Sequence, residues 1–160
     1  MNIKCLSLWL VEYLKKHNYT ISCAESCTGG MLSELITRNQ GASKIFMGAA
    51  ICYSYESKIK ILEIEQSLLK SFSSVSEEIA LLMAENSRKL FSSTFSLSIT
   101  GIAGPCGASK NKPIGTVCFG LATPDSVKSK KIHIEGKFRQ KIRQNACLFA
   151  MNWFKSSMIL

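Results

Sequence analysis

Six consecutive residues, Glu25-Ser26-Cys27-Thr28-Gly29-Gly30, place two hydroxyls, a thiol and two glycines where a strand-like run gives way to helical spacing. Backbone N–H groups at such a junction are free to face an anion, and the positive helix end favours one. The same turn can present a serine nucleophile, with an oxyanion held by the adjoining N–H groups. A Thr28 helix cap followed by two turn glycines explains these residues without any chemistry. Spacing alone does not separate Ser26 from Thr28 as the nucleophile.

A serine nucleophile needs a base. Neither histidine, His17 or His133, lies beside a loop that the strand order brings to this turn. Lys58 is the other choice, five residues after Tyr53 and just past an apolar strand that ends on the same sheet edge. Desolvation lowers a lysine's pKa, and the neutral amine can then accept a hydroxyl proton. Tyr53, at the strand end, can relay or orient that proton. Left in solvent, Lys58 is an ordinary surface lysine and Tyr53 an ordinary strand-end aromatic. A third loop, Gly101-Ile102-Ala103-Gly104-Pro105, follows a strand to the same edge, where open α/β sheets bind ligands. It also reads as a simple structural turn. It lacks the Gly-Lys-Ser/Thr ending of a Walker loop, so ATP hydrolysis is not read into it.

The elements that must position these groups follow from periodicity. Leu6, Trp9, Leu10, Tyr13 and Leu14 predict a helix over about 3–17, ended by Asn18. Residues 19–23 read as a strand, 31–38 as a helix, 45–53 as a buried strand and 56–62 as a helix. A capping box at Ser74-Val75-Ser76-Glu77 opens a helix over about 76–91. Strands are expected at 94–100, 116–123 and 130–135, with a long loop over 101–115 and a closing helix carrying Ile142, Ala146, Phe149 and Trp153. The first three strands are separated by helices, which suits parallel pairing; the last three are joined without helices, which suits antiparallel turns. The expected fold is an α/β sandwich of three layers, with a mixed five-stranded sheet between helices.

Composition bounds the reading. At 160 residues, 46% hydrophobic and 19% charged, the chain is one domain with an ordinary core, which excludes intrinsic disorder and small disulfide scaffolds. The seven cysteines are odd in number and scattered in apolar runs, so they read as reduced core thiols. With no Cys-x-x-Cys and two distant histidines, no metal site is expected. Glu12, Lys15 and Lys16 interrupt the apolar N-terminal run, and nothing approaches the ~20 residues of a bilayer span, so a cytoplasmic protein is expected. Between Lys128 and Arg143 lie seven Lys/Arg and one acid, +6 of the net +9. That stretch fits a solvated face, or a nucleic acid, an acidic membrane or a phosphorylated small molecule.

The succession Ala24-Glu25-Ser26-Cys27-Thr28-Gly29-Gly30, Gly41-Ala42-Ser43, Tyr53-Ser54 with Lys58, Val75-Ser76, and Gly101-Ile102-Ala103-Gly104-Pro105 with Lys112-Pro113-Ile114-Gly115-Thr116-Val117 resembles the CinA C-terminal domain family. The likeness runs from about Tyr19 to Trp153. Many members of that family are nicotinamide-nucleotide amidases. The resemblance implies a three-layer α/β/α domain and hydrolysis of the carboxamide of nicotinamide mononucleotide (NMN) to nicotinate mononucleotide and ammonia, without metal or other cofactor. It assigns Ser26 as nucleophile, Lys58 as general base and Tyr53 as an assisting hydroxyl. Cys27, Thr28, Gly29 and Gly30, together with Thr100, Gly101, Ile102, Ala103 and Gly104, would hold the oxyanion and the ribose-phosphate. Arg143 would contact the phosphate, from its own or a neighbouring subunit, since family members commonly form homodimers or larger homo-oligomers. Longer members add an N-terminal domain linked to nucleotide pyrophosphate chemistry, which is not expected here.

Three departures touch the ligand side: Tyr55 where the family usually has Asn, Cys106 after Gly-Pro, and Gly136-Lys137-Phe138-Arg139 in place of a shorter Gly-Asp/Asn-Arg. They leave open a catalytically inactive nucleotide-binding protein of the same fold. A nucleic-acid-associated module built on the basic stretch is a further alternative, weakened because only Phe138 and His133 offer stacking rings there.

Overall fold

A computed structural model describes residues 2–159. In chain order the elements are α1 (Ile3–His17), β1 (Ile21–Glu25), α2 (Met31–Thr37), β2 (Phe46–Ile51), α3 (Tyr55–Leu62), α4 (Gln66–Phe72), α5 (Glu77–Leu90), β3 (Phe95–Gly101), β4 (Thr116–Ala122), β5 (Val127–His133) and α6 (Arg139–Ile159). The strands form one sheet in the order β2-β1-β3-β4-β5. β1 pairs in parallel with both β2 and β3, and β3, β4 and β5 pair antiparallel. This is the expected three-layer mixed sandwich.

The pleat divides the core in two. Ile21, Cys23, Leu97, Ile99, Val117, Phe119 and Leu121 point to one face, where they pack with Leu6, Leu10, Leu32, Ile36, Ala150 and Phe154 from α1, α2 and α6. Ala24 and Ala50 point to the other, against Leu62, Leu69, Ile79 and Met83 from α3, α4 and α5. Alternation along β1 has a direct consequence for the site. Glu25 leaves the strand on the side of α2, and Ser26 on the side of α3.

The α5 face of the sheet is lined by small groups, which let the helix approach closely. Ser98 Oγ donates to the Ala80 carbonyl, and the buried hydroxyls of Ser22, Ser87 and Ser93 bond to one another. Gly120 sits opposite: a Cβ there would lie 2.3 Å from the Ala80 carbonyl oxygen. Gly120→Ala must therefore push α5 off the sheet, and overpacking of this kind costs about 1–3 kcal/mol or more. The expected result is a lower denaturant midpoint with an unchanged slope in equilibrium unfolding.

The structure corrects several boundaries. Asn18 adopts the left-handed conformation (φ 55°) and closes α1, with Tyr19 N–H donating to the Leu14 carbonyl, so the first strand begins at Ile21 rather than residue 19. A third helix, α4, separates β2 from β3 where two helices are expected; it is seven residues long and buries one leucine, Leu69, too little to register as periodicity. β5 starts at Val127 because the Thr123–Ser126 turn closes through Thr123 N–H to the Ser126 carbonyl (2.8 Å) and Ser126 N–H to Thr123 Oγ1 (3.0 Å). α6 begins at Arg139, ahead of Ile142. The basic stretch is thereby split. Lys128, Lys130 and Lys131 guard the exposed edge strand β5, as edge lysines commonly do, whereas Arg139 and Arg143 stand one helical turn apart at the start of α6.

Candidate active site

Ser26 follows β1 directly, and its N–H donates to the Ile99 carbonyl of β3 at 2.9 Å. Its side chain is 8% exposed. Beneath it lies Lys58, whose exposure is 0%. The first turn of α3 delivers this lysine: Ser54 caps the helix in a reciprocal box with Ser57, which fixes the helix direction one residue before Lys58. Lys58 Nζ lies 3.1 Å from Ser26 Oγ and 2.6 Å from the Cys52 carbonyl. Burial is the chief reason that the lysine's pKa is lowered from its ordinary value. In its neutral form, which that shift favours, the amine can donate one hydrogen to the Cys52 carbonyl and offer its lone pair to the Ser26 hydroxyl. Lys58 is not the surface lysine that its spacing alone allows.

The geometry also separates Ser26 from its neighbours. Thr28 is fully buried, its Oγ1 has no hydrogen-bond partner among the described residues, and the residue capping α2 is Gly30, which has no side-chain bond. The Thr28 helix cap is thus absent, and the lysine faces Ser26 instead. Burial pushes the Cys27 thiol up to about 12, which keeps it protonated and poorly nucleophilic.

The expectation that the whole turn offers free N–H groups needs correction. Glu25, with 0% exposure, accepts from the N–H of Gly30 (3.0 Å), Leu32 (3.1 Å) and Ser33 (2.8 Å), and from Ser33 Oγ. Gly29 N–H donates to the Ser26 carbonyl at 3.1 Å. The amides of Cys27 and Thr28 are the two in this turn that donate to no acceptor elsewhere among the described residues. The sequence alone gives Glu25 no role. The available signal was a carboxylate placed just ahead of a helix start, where negative charge is stabilising.

The third loop enters through its carbonyls. Thr100 Oγ1 donates to the Ser74 carbonyl (2.7 Å), Gly101 pairs with Val117 in the sheet, and Ile102 N–H donates to the Thr116 carbonyl (2.9 Å). Ala103 is buried in the core. Gly104, at φ +77°, turns its carbonyl to Nη1 of Arg139 at 2.6 Å. The same guanidinium donates through Nη2 to the Tyr53 hydroxyl at 2.7 Å. Tyr53 is 60% exposed, and among the described residues it makes no hydrogen bond to Ser26 or Lys58. Arg143 lies over the nucleophile turn from the same chain, with Nη2 donating to the Thr28 carbonyl (2.6 Å) and Nε buried without a partner among the described residues. A Cβ on Gly29 would come within 3.5 Å of that guanidinium. The sequence marks Arg139 only as the end of the altered Gly136–Arg139 segment and gives it no contact, because the helix bearing it starts earlier than its apolar spacing implies.

Of the three departures, Tyr55 has a structural contact: its hydroxyl accepts from Ser74 N–H at 3.2 Å. Cys106 is an exposed free thiol, and Gly136 abuts α6, where a Cβ would lie 2.7 Å from Ile142 Cγ1. Among the described residues no group of three His, Cys, Asp or Glu side chains could hold a metal ion, and no helix is long and apolar enough to cross a membrane.

A three-layer mixed sheet with a serine at the carboxyl end of its central parallel strand, and a buried lysine against it, defines an α/β domain with a candidate serine–lysine site. The chain belongs to the CinA C-terminal domain family, whose model matches residues 4–158. It is 41% identical over 148 residues to a CinA-like protein of Fervidobacterium nodosum, covering 92% of this chain and 36% of that one. A CinA-like protein of Kosmotoga olearia is 41% identical over 150 residues, with 94% and 36% covered. The chain thus spans about a third of the length of these relatives. Among solved structures it is similar to the competence/damage inducible protein CihA from Agrobacterium tumefaciens (TM-score 0.93, 27% identity, 96% of this chain and 94% of that one). It is also similar to a competence-damaged protein (CinA) superfamily protein from Escherichia coli (TM-score 0.91, 28% identity, 96% and 89%).

Proposed function

We propose that this domain is a serine amidohydrolase that converts the carboxamide of NMN to a carboxylate, releasing nicotinate mononucleotide and ammonia. The observation that carries the reading is the buried Lys58 amine 3.1 Å from the Ser26 hydroxyl. A lysine is desolvated at a cost, and a hydroxyl within its reach is the arrangement that puts that cost to use.

In this reading the neutral Lys58 takes the Ser26 proton as Oγ attacks the carboxamide carbon. The Cys27 and Thr28 amides receive the developing oxyanion, an interaction worth about 10²–10³ in rate per donor at comparable sites. Lys58 then passes its proton to the departing nitrogen, which leaves as ammonia, and an ester on Ser26 remains. Water attacks that ester, with Lys58 again as base, and restores the serine. Arg143, whose buried Nε has no partner among the described residues, supplies a guanidinium for the phosphate. Arg139 positions the Tyr53 hydroxyl and ties it to the Gly104 loop. In this reading Tyr53 is the assisting hydroxyl, held in place by Arg139.

The test is formation of ammonia and nicotinate mononucleotide from NMN by the purified protein with a chelator present. Turnover at undiminished rate supports the reading. NMN bound without ammonia release would instead make this an inactive nucleotide-binding member of the fold, with Cys106 and the 136–139 segment the places to look.

A further inference from the structure

Glu25 has no part in the proton transfers described above, yet it is fully buried and immediately precedes the nucleophile. Four donors converge on its two oxygens, namely the N–H groups of Gly30, Leu32 and Ser33 and the Ser33 hydroxyl. A carboxylate has the lone pairs to accept all four. The contact spans residues 25 to 33 and therefore closes the nucleophile turn into a loop. One end of that loop is fixed in the sheet, where Ser26 N–H donates to the Ile99 carbonyl. The other end is fixed by the carboxylate.

Two things follow. The start of α2 is consumed by a protein carboxylate and is closed to any substrate anion. Among the described residues, the amides that donate to no other residue are those of Cys27, which meets its own thiol, and Thr28, directly after the nucleophile, beside the fully buried Thr28 Oγ1, which has no partner there. We infer that Glu25 is a positioning residue: its hold on the start of α2 sets the nucleophile turn so that the Cys27 and Thr28 amides, and not those of the helix, receive the oxyanion. The inference rests on the serine–lysine reading proposed above.

The probe is diisopropyl fluorophosphate, which reports on the turn without relying on NMN as substrate. Ser26 Oγ forms a bond to phosphorus, the P–F bond breaks, Lys58 takes the hydroxyl proton and fluoride leaves, while the phosphoryl oxygen occupies the oxyanion position. Labelling of Ser26 is followed by mass spectrometry in the wild type, Glu25→Gln, Glu25→Asp and Ser26→Ala. Gln offers one acceptor oxygen, and its NH₂ turns hydrogens toward donors, so the turn must shift; Asp keeps the carboxylate one methylene short. Glu25→Gln should be labelled about 100-fold more slowly, the loss expected when an oxyanion donor is misplaced. With NMN it should lose kcat by a similar factor while KM changes less than about threefold, and Glu25→Asp should recover part of both.

Labelling of Glu25→Gln within about threefold of the wild type overturns the inference alone, and a merely structural role would then appear only as a lower melting temperature. Absence of label on wild-type Ser26 overturns the serine–lysine reading and this inference with it. Should Glu25→Gln fail to fold, Ser33→Ala removes one donor of the four with little change in volume. It should slow labelling severalfold, and an unchanged rate there also overturns the inference.

Discussion

Ser26→Ala will release no measurable ammonia from NMN, a loss of about 10⁴-fold or more, while its far-UV spectrum and melting temperature stay close to those of the wild type. The size of the effect comes from the loss of the covalent route: without Oγ no ester forms, and the oxyanion amides and Lys58 act only on a water that nothing else positions. The fold should tolerate the change. Ser26 is held in place by its backbone, through the N–H bond to the Ile99 carbonyl, and its side chain is small. Lys58 retains the Cys52 carbonyl as a partner for its neutral amine. Ammonia release by Ser26→Ala at the wild-type rate would remove the serine from the mechanism, and the neighbouring Cys27, with its thiol pushed up to about 12, offers no easy substitute.

The second large effect is at Lys58, where two replacements should divide activity from stability. Lys58→Met fills the same volume with an apolar chain and has no proton to take. Turnover should fall about as far as in Ser26→Ala, and the melting temperature should change little, because removing an amine desolvated at a cost offsets the loss of its hydrogen bond to the Cys52 carbonyl. Lys58→Arg keeps a positive charge that cannot be shed in a protein, so it supplies no base and places an unshed charge in the core. It should lose activity by a similar factor and lose stability as well. Wild-type turnover in Lys58→Met would refute the general-base role. The pH dependence has a definite sign. Burial lowers the lysine's pKa, so the neutral amine is the form favoured on the alkaline side, and kcat/KM should rise with pH through that lowered value and then level off. In Lys58→Met that limb should disappear.

Much of this arrangement was legible in the sequence, for reasons that are local. The helix over 3–17 was visible because five apolar side chains fall on one face, and α5 because its cap and stripe coincide. The parallel and antiparallel halves of the sheet followed from which strands are joined through helices. Ser26, Lys58 and the glycine loops could be named as a set because each follows a strand that ends on the same edge of the sheet.

What the chain could not reveal locally was depth and partnership. Lys58 reads as a surface residue in the sequence, and only in the fold, where it lies fully buried against Ser26 and the Cys52 carbonyl, does it lose its water and have its pKa lowered. Glu25 lies in a run of five buried strand residues, and its role appears when the pleat sends it to α2 while Ser26 goes to α3. Tyr53 and Arg139, 86 positions apart in sequence, meet only because the start of α6 is brought across the sheet edge. The sequence by itself determined the strands and most of the helices, the split of the sheet into parallel and antiparallel halves, and which residues follow strands to one edge, since periodicity, caps and connection lengths are short-range properties. Only the tertiary structure decided which of those residues lose water and which amides remain free, because desolvation and hydrogen-bond competition depend on every neighbour that the fold brings in.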